Sequence, residues 1–201
     1  MPSVAVFCAS SESIDERYAV LAAEVGFAVA RRGWTLVSGG GSVSCMGAVA
    51  RAARAGGAHT VGVIPRALVE LEVADHGADE LVVTEDMRER KGEMDRRSDA
   101  FITLPGGIGT LEELLEIWVA RSLRMHDKPV VVLDPWGDLQ PLAELVAGLV
   151  KAGFVRDSAA SQLVWTRSVD EAIAAVERGW AEAGSVGVAE PTPAEFLEAE
   201  P

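Results

Sequence analysis

The sequence predicts an α/β fold: a single domain with a doubly wound, Rossmann-like parallel sheet and helices on both faces. Short runs rich in β-branched residues alternate with longer amphipathic runs along the chain. The first short run, Ser3–Phe7, has the apolar composition of a strand buried on both faces, which is typical of parallel sheets. Two glycine-rich turns follow predicted strands and lead directly into predicted helices. Ligands of such sheets bind at the carboxyl ends of the strands.

The first half of the chain alternates predicted strands with predicted helices. Its first helix carries apolar residues at helical spacing, namely Val20, Ala23, Val25, Ala28 and Val29. We expect strands at residues 3–7, 34–37, 59–64 and 81–83, and helices at residues 14–32, 46–55 and 86–97.

The second half continues the alternation up to a tail without periodicity. We expect strands at residues 100–104, 129–133 and 163–165, and helices at residues 111–123, 139–151 and 169–183. Residues 1–184 are predicted to form the domain. Residues 185–201, rich in glutamate and proline, are predicted to form an acidic, mobile tail.

The charge and cysteine content narrow the function classes. The formal net charge of −13 disfavours binding to nucleic acid or to an anionic membrane. A phosphorylated ligand would therefore need a local cationic pocket. The two cysteines, Cys8 and Cys45, lack metal-ligand spacing, and the start of the chain lacks the features of a signal peptide. We expect a cytoplasmic protein with free thiols and no metal site.

The strongest local signal is the segment FITLPGGIGTLEE at residues 101–113. Glycines allow close approach of the backbone to a ligand. The free N–H groups at a helix start favour an anion such as phosphate, and Thr110 could add a hydroxyl donor. A tight turn without a ligand is the alternative reading of such a loop.

A second glycine-rich loop, SGGGSVSCMG at residues 38–47, also lies between a strand and a helix. It is not a phosphate-binding P-loop, because no Gly-Lys-Ser/Thr follows. It fits the dinucleotide fingerprint only loosely, because Ser44 stands where the third glycine belongs, and the next strand lacks an acidic end. We expect Gly40, Gly41 and Ser44 to contribute to the same ligand site as the first loop.

Residues 87–99 form a basic segment in an otherwise acidic chain. Asp86 with Arg90 and Glu93 with Arg97 have the i,i+4 spacing of simple surface ion pairs. However, Arg90 and Lys91 lie in a helix that leads directly into the strand before the PGG loop. That position makes both residues candidates for the ligand site.

Glu113 has a structural and a chemical interpretation. Thr110 and Glu113 have the spacing of a capping box, with threonine as the N-cap and glutamate at N3. A carboxylate at that position would also lie next to any anion or sugar that the loop holds. Both interpretations remain open at this point.

These segments together resemble the LONELY GUY (LOG) cytokinin-activating phosphoribohydrolases, long labelled as possible lysine decarboxylases. The family pattern is an arginine–lysine pair followed by PGGxGTxxE, which stands here as Arg90-Lys91 and as PGGIGTLEE at residues 105–113. The resemblance extends from the first predicted strand to about Val176. It includes SGGGSVSCMG, VGVIPRAL, SDAFITLPGG and HDKPVVVLD.

The resemblance implies a nucleotide-binding fold, a homodimer, no metal or other cofactor, and hydrolysis of N6-substituted adenosine 5'-monophosphates to free base and ribose 5-phosphate. It implies that Arg90 and Glu113 are the catalytic pair. It implies substrate contacts at Glu72, Lys91, Gly107, Ile108, Gly109, Thr110, Leu111 and Glu112. Glu113 would stabilise positive charge on the ribose or orient water, Arg90 would position the substrate, and Glu72 would hold ribose hydroxyls.

The chain departs from the family pattern at a few positions. Ser38 replaces a usual tyrosine, Ser44-Cys45 replaces a usual Gly-Leu, and Val119 stands where threonine is frequent. We expect these changes to affect the base pocket and the preferred N6 substituent.

Two other functions remain as alternatives. One is a non-catalytic nucleotide carrier on the same fold. The other is a pyridoxal-phosphate decarboxylase, which would need a Schiff-base lysine. The chain offers only Lys91, Lys128 and Lys151, and no pyridoxal motif surrounds any of them.

Overall fold

The structure is a computed structural model that describes residues 1–70 and 73–185. Its strands are β1 (Ser3–Phe7), β2 (Thr35–Ser38), β3 (Thr60–Pro65), β4 (Glu80–Thr84), β5 (Ala100–Thr103), β6 (Val130–Leu133) and β7 (Leu163–Thr166). Its helices are α1 (Glu16–Arg31), α2 (Ser44–Ala55), α3 (Arg66–Glu70), α4 (Met87–Arg96), α5 (Ile108–Ser122), α6 (Gln140–Lys151), α7 (Asp157–Ala160) and α8 (Val169–Ser185).

The strands form one seven-stranded sheet in the order β4-β3-β2-β1-β5-β6-β7. Every neighbouring pair is parallel, and the two central strands β1 and β5 align Val4 with Ala100 and Phe7 with Thr103. The strand order reverses between β1 and β5. That reversal leaves a crevice at the carboxyl ends of these strands, where ligands of open α/β sheets bind. The predicted parallel sheet is therefore confirmed.

Helices cover both faces of the sheet, as the sequence predicts. Helices α1, α2 and α8 pack on one face through side chains such as Val25, Val49 and Ile173. Helices α4, α5 and α6 pack on the other face through Met94, Leu114, Val146 and their neighbours. Successive residues of β1 and β5 contribute alternately to the two cores, because side chains of a strand point to opposite faces.

Sequence and structure differ at short helices and at helix starts. The one-turn helices α3 and α7 were not predicted, because segments of this length carry no usable periodicity. Helix α5 begins at Ile108 rather than at residue 111, since Ile108, Gly109 and Thr110 of the loop form its first turn. Residues 186–201 of the predicted tail lie outside the described residues. The predicted substrate contact Glu72 also lies outside them.

Within residues 1–70 and 73–185, none of the helices is long and apolar enough to cross a lipid bilayer.

Candidate active site

A cavity of about 750 Å³ opens at the carboxyl ends of the central strands. Its walls come from the residues after β1, the glycine loop after β2, helix α4, and the loop that starts α5. This volume lies in the range of roughly 300–1,000 Å³ that is common for small-molecule sites. The two glycine-rich loops and the basic helix that the sequence singled out thus meet at one cavity.

The first turn of α5 forms one wall of the cavity. Gly107 is the N-cap residue and makes no side-chain cap. The first hydrogen bond of the helix runs from Leu111 N to Gly107 O at 3.1 Å, so the preceding N–H groups are those that a helix leaves without an internal partner. Gly107, Ile108, Gly109 and Thr110 all line the cavity. The wall therefore presents backbone donors and a helix dipole to an anion.

This helix start shows that the capping-box interpretation of Thr110 and Glu113 is wrong. The N-cap is Gly107, so Thr110 lies at N3 and Glu113 lies in the second turn. At that depth a carboxylate cannot reach back to cap the first N–H groups. The side chain of Glu113 is instead buried at the cavity wall.

Arg90 and Glu113 form a buried ion pair between α4 and α5. Nη1 of Arg90 lies 3.2 Å from Oε1 of Glu113, and each residue is 8% exposed. Nε of Arg90 also donates to the carbonyl oxygen of Val63 in β3, at 3.2 Å. Both side chains line the cavity. A cation and a carboxylate are thus held together next to the open start of α5.

Gly39 leaves the space that the Arg90 guanidinium occupies. A Cβ built on Gly39 would lie 2.0 Å from Nη2 of Arg90, which no side chain could tolerate without moving the arginine. Gly39 is the first glycine of the loop after β2 and also lines the cavity. No sequence pattern marks this role of Gly39, because the requirement depends on how closely α4 approaches the loop after β2.

Burial dominates the electrostatics at this pair. Desolvation raises the pKa of the Glu113 carboxyl, and the positive charge of Arg90 opposes that rise. Desolvation also raises the pKa of the Cys8 thiol well above its usual value, with Cys45 and Glu113 adding to the effect. Cys8 lines the cavity and is therefore a neutral thiol at neutral pH.

Of the two ion pairs that the spacing allows within the α4 region, the structure contains only one. The carboxylate of Asp86 caps the helix by accepting from the N–H groups of Arg88 and Glu89. Arg90 turns inward to Glu113, so the structure does not show the Asp86–Arg90 pair that the spacing allows. The Glu93–Arg97 pair that the spacing also allows is present.

Lys91 lies beside Arg90 but faces a different environment. Its ammonium group pairs with Glu112 and, at 2.5 Å, with Glu116, both on α5. These carboxylates raise the pKa of Lys91, which keeps it charged. Lys91, Leu111 and Glu112 are not among the residues that line the cavity. Their roles as substrate contacts remain predictions.

The second glycine loop contributes Gly41 to the cavity wall, whereas Gly40 and Ser44 are not among the residues that line it. Their roles as substrate contacts remain predictions. Gly40 has a φ of +70°, and a Cβ there would lie 2.9 Å from Cβ of Ile64. Ser44 has a φ of +48° at the position where the LOG pattern has glycine. Its hydroxyl donates to the carbonyl oxygen of Ser11 at 2.5 Å, which ties this loop to the loop after β1.

A polar cluster at the cavity wall was not predicted from the sequence. The hydroxyl of Tyr18 donates to Asp138 at 2.9 Å and accepts from Arg17 at 2.7 Å. The Arg17 guanidinium lies 4.6 Å from the ring centre of Trp136. Tyr18 and Asp138 line the cavity together with Ser10. Strand topology could have drawn attention to Ser10, which follows β1 at the reversal of strand order, but no sequence signal marked Tyr18 or Asp138.

Part of the cavity wall is apolar. Its side chains there are Ile64, Leu68, Val73, Met87 and Met94. Methionine side chains are flexible and polarisable, so they adapt to ligands of different shape. This apolar wall is suited to a planar base with an apolar substituent.

The described residues contain neither a cluster of metal ligands nor a lysine in the cavity wall that could form a Schiff base. No group of three or more His, Cys, Asp or Glu side chains in residues 1–70 and 73–185 could hold a metal ion. All three lysines of the chain are described, and none of them lines the cavity. Lys128 pairs with Asp95 at 2.7 Å, on the far side of α4.

Known proteins that are similar to this chain match it over most of its length, including the residues at the cavity. A family model described as "Possible lysine decarboxylase" matches residues 46–176. The cytokinin riboside 5'-monophosphate phosphoribohydrolase of Mycobacterium tuberculosis is 56% identical over 173 residues, which are 86% of this chain and 92% of the relative. The protein of the same name from Mycobacterium marinum is 54% identical over 177 residues, 88% of this chain and 94% of the relative. The chain belongs to this phosphoribohydrolase family.

Membership of the phosphoribohydrolase family confirms the resemblance that the sequence showed. The fold is also that of the Moco carrier protein from Chlamydomonas reinhardtii, with a TM-score of 0.67 and 26% identity over 90% of this chain and 98% of the carrier. Phosphoribohydrolases and a carrier protein thus share one architecture. The fold alone therefore does not distinguish an enzyme from a carrier, and the distinction depends on the side chains at the cavity.

Proposed function

We propose that this protein hydrolyses the N-glycosidic bond of N6-substituted adenosine 5'-monophosphates, releasing the free base and ribose 5-phosphate. The observation that carries the proposal is the buried Arg90–Glu113 pair beside the open start of α5. The names of its phosphoribohydrolase relatives supply the substrate class.

The phosphate would bind at the start of α5. Backbone N–H groups and the helix dipole favour an anion there, and the Thr110 hydroxyl lies in the same turn. A phosphate at this site would place the attached ribose further along the cavity wall, toward Glu113. The net charge of −13 makes such a local site necessary for an anionic substrate.

Glu113 would act at the anomeric carbon. As the bond from the anomeric carbon to the base nitrogen breaks, its electron pair leaves with the base and positive charge develops on the ribose. A carboxylate next to that carbon stabilises the charge, orients a water and accepts a proton from it as the new C–O bond forms. The base nitrogen takes up one proton as it leaves, so the reaction consumes one water and regenerates the carboxylate. The raised pKa of Glu113 makes it a better proton acceptor than an exposed glutamate.

Arg90 would hold the substrate and keep Glu113 ionised. A guanidinium stays protonated and cannot act as a base. Its bonds to Glu113 and to the carbonyl of Val63 fix its orientation before substrate arrives. Preorganised charge of this kind needs no rearrangement during the reaction. The base would extend toward the apolar wall that includes Leu68 and Met87.

We further propose a homodimer that uses the outer face of α5. Ile108, Leu115 and Val119 repeat at helical spacing and are 88%, 39% and 52% exposed. An apolar stripe of this kind on a helix marks an interaction surface. Replacing Val119 with glutamate should shift sedimentation toward the monomer, whereas replacing the exposed Leu145 of α6 with glutamate should not. A cytosolic location is also proposed, because Cys8 and Cys45 are free, buried thiols.

The decisive experiment incubates the purified protein, in EDTA, with AMP and with an N6-alkylated analogue. Free base and ribose 5-phosphate are then separated by chromatography. We expect cleavage of both nucleotides and much slower cleavage of the matching nucleosides, since these lack the phosphate. Arg90→Ala should abolish cleavage, and Arg88→Ala, an exposed neighbour on the same helix, should not. Tight binding of AMP without release of base would favour the carrier function instead.

A further inference from the structure

The chain that returns to the sheet after α3 is bonded to the glycine loop. We call residues 73–79 the return segment and residues 39–43 the glycine loop. Ser42 N donates to Val73 O at 2.8 Å, and Asp75 N donates to Gly40 O at 2.8 Å. Gly41 and Ala74 form an antiparallel bridge between these bonds. The two stretches therefore behave as a short, two-stranded ribbon.

A charged pair fastens this ribbon to helix α2. Arg54, near the end of α2, donates to both carboxylate oxygens of Asp75, at 2.7 and 3.1 Å. The Asp75 side chain is 10% exposed and that of Arg54 is 22% exposed. Asp75 also accepts from Gly77 N at 3.2 Å. Bidentate geometry fixes direction as well as distance, so the pair sets the position of the return segment along α2.

Both strands of the ribbon reach the cavity. Val73 of the return segment lines it, and so do Gly41 and Val43 of the glycine loop. Val73 also directly follows the predicted ribose contact Glu72 in the sequence. Arg54 and Asp75 themselves do not line the cavity. Any effect of this pair on the substrate must therefore pass through the ribbon.

We propose that Arg54 and Asp75 are positioning residues that hold the ribbon in the conformation that binds the nucleoside part of the substrate. This inference rests on the proposed function. Glu113 lies on α5, which the pair does not touch, so the chemical step persists once substrate is bound. Loss of the pair should therefore weaken binding and leave turnover largely intact, the pattern of a lost ground-state contact.

The chain provides a matched control in the same segment. Asp79 ends the return segment and accepts from the N–H and hydroxyl of Thr60 at 2.8 and 2.9 Å, at the start of β3 and so at the edge of the sheet away from the cavity. Asp79→Asn weakens a different anchor of the return segment and leaves the bonds of Val73 and Asp75 to the glycine loop in place. A purely structural role predicts that Asp75→Asn and Asp79→Asn behave alike in kinetics.

The test measures KM, kcat and thermal stability for both variants with AMP. For Asp75→Asn we expect KM to rise roughly tenfold, as for loss of about one hydrogen bond to the substrate, with kcat within about threefold of wild type. Asp79→Asn should keep the wild-type KM. Arg54→Lys keeps the charge but loses the bidentate contact to Asp75, so it should also raise KM. This variant replaces Asp75→Asn in the test if Asp75→Asn does not fold. An unchanged KM in both Asp75→Asn and Arg54→Lys, or an equal rise in Asp79→Asn, overturns the inference.

A binding measurement separates this inference from the proposed function. The dissociation constant of AMP is measured in the Glu113→Gln background, with and without Asp75→Asn. If the wild-type protein binds AMP without cleaving it, the proposed function fails. The change in the dissociation constant caused by Asp75→Asn still tests whether the Arg54–Asp75 pair positions the ribbon. A roughly tenfold weaker affinity supports the inference, and an unchanged affinity overturns it. If AMP does not bind at all, both proposals fall.

Discussion

The guanidinium of Arg90 occupies the space where a side chain on Gly39 would begin, 2.0 Å from the position of its Cβ. Gly39→Ala should therefore displace Arg90 while the fold persists, because the displaced atom ends a flexible side chain. We expect kcat/KM for AMP to fall by about 10²-fold, since displacing a catalytic group by an ångström can cost that much. Gly148→Ala on α6, where a Cβ meets nothing within 4 Å, is the control and should keep full activity. Normal activity in Gly39→Ala would show that the exact place of Arg90 is unimportant.

Glu113→Gln should separate catalysis from binding. The amide has the size of the carboxylate and can still accept a hydrogen bond from Arg90, so the fold should persist. Burial already raises the pKa of Glu113, which means that it disfavours the charged form that the amide replaces. We expect kcat to fall at least about 100-fold, the lower range for a positioned acid–base group. AMP should still bind, and the melting temperature should stay near that of wild type. Turnover near wild type in a stable Glu113→Gln protein would remove Glu113 from the mechanism.

The pH profile should show the ionisation of the same carboxyl. Because catalysis needs Glu113 ionised and burial raises its pKa, activity should decline on the acid side at a pH above the ordinary glutamate value of about 4.3. For stability the sign is opposite. A raised pKa contributes stability that is present below the unfolded pKa and is lost as pH rises through the folded pKa. Wild type should thus lose stability relative to Glu113→Gln between acidic and neutral pH, and parallel stability curves would contradict the raised pKa.

Lys91 should contribute to stability by linking α4 to α5 rather than by binding substrate. Its ammonium is held by Glu112 and Glu116 and does not line the cavity. We expect Lys91→Met and Glu116→Gln to lower the free energy of unfolding by about 1 kcal/mol or less, because the carboxylates are half exposed. KM for AMP should change little in either variant. A large rise in KM for Lys91→Met alone would restore Lys91 as a substrate contact, as the family resemblance implies.

Thr103 at the end of β5 should tolerate loss of its hydroxyl. The residue is fully buried, and its Oγ1 has no hydrogen-bond partner in the part of the chain that the structure describes. Thr103→Val should leave stability unchanged or raise it, because an unpaired buried hydroxyl costs free energy. Thr166→Val is the matched control. That hydroxyl donates to Val132 O at 3.0 Å, so its loss should cost about 1 kcal/mol in denaturant unfolding.

Sequence periodicity was sufficient for the sheet but not for the contacts at the cavity. Buried strands such as β1 and β6 are short apolar runs, and composition alone predicts β1 with its observed bounds and β6 with a start one residue early. The start of α5 was placed too late, because glycines in a first turn look like a loop until tertiary packing is known. Asp86 has the correct spacing to pair with Arg90, yet it caps α4, and local spacing could not decide between the two roles.

The pairing of Arg90 with Glu113 joins two helices that are separated by a strand, so no spacing rule predicts it. The family resemblance supplied both residues, and the structure supplies their contact. The role of Gly39 and the ribbon held by Arg54 and Asp75 depend on how closely separate elements pack. Such distances are properties of the folded chain that a linear pattern does not contain.

The aromatic contact between Tyr18 and Trp136 at the cavity gives the protein an intrinsic fluorescent probe. Trp136 is 43% exposed, meets the Tyr18 ring edge-on at 5.4 Å, and lies under Arg17. Tyr18 is also part of the cavity wall, so a ligand that reaches it alters the surroundings of the indole one contact away. Trp34 and Trp180 pack against each other between the start of β2 and α8, and they supply a constant background signal. Occupancy of the cavity can therefore be followed by intrinsic fluorescence in unlabelled protein.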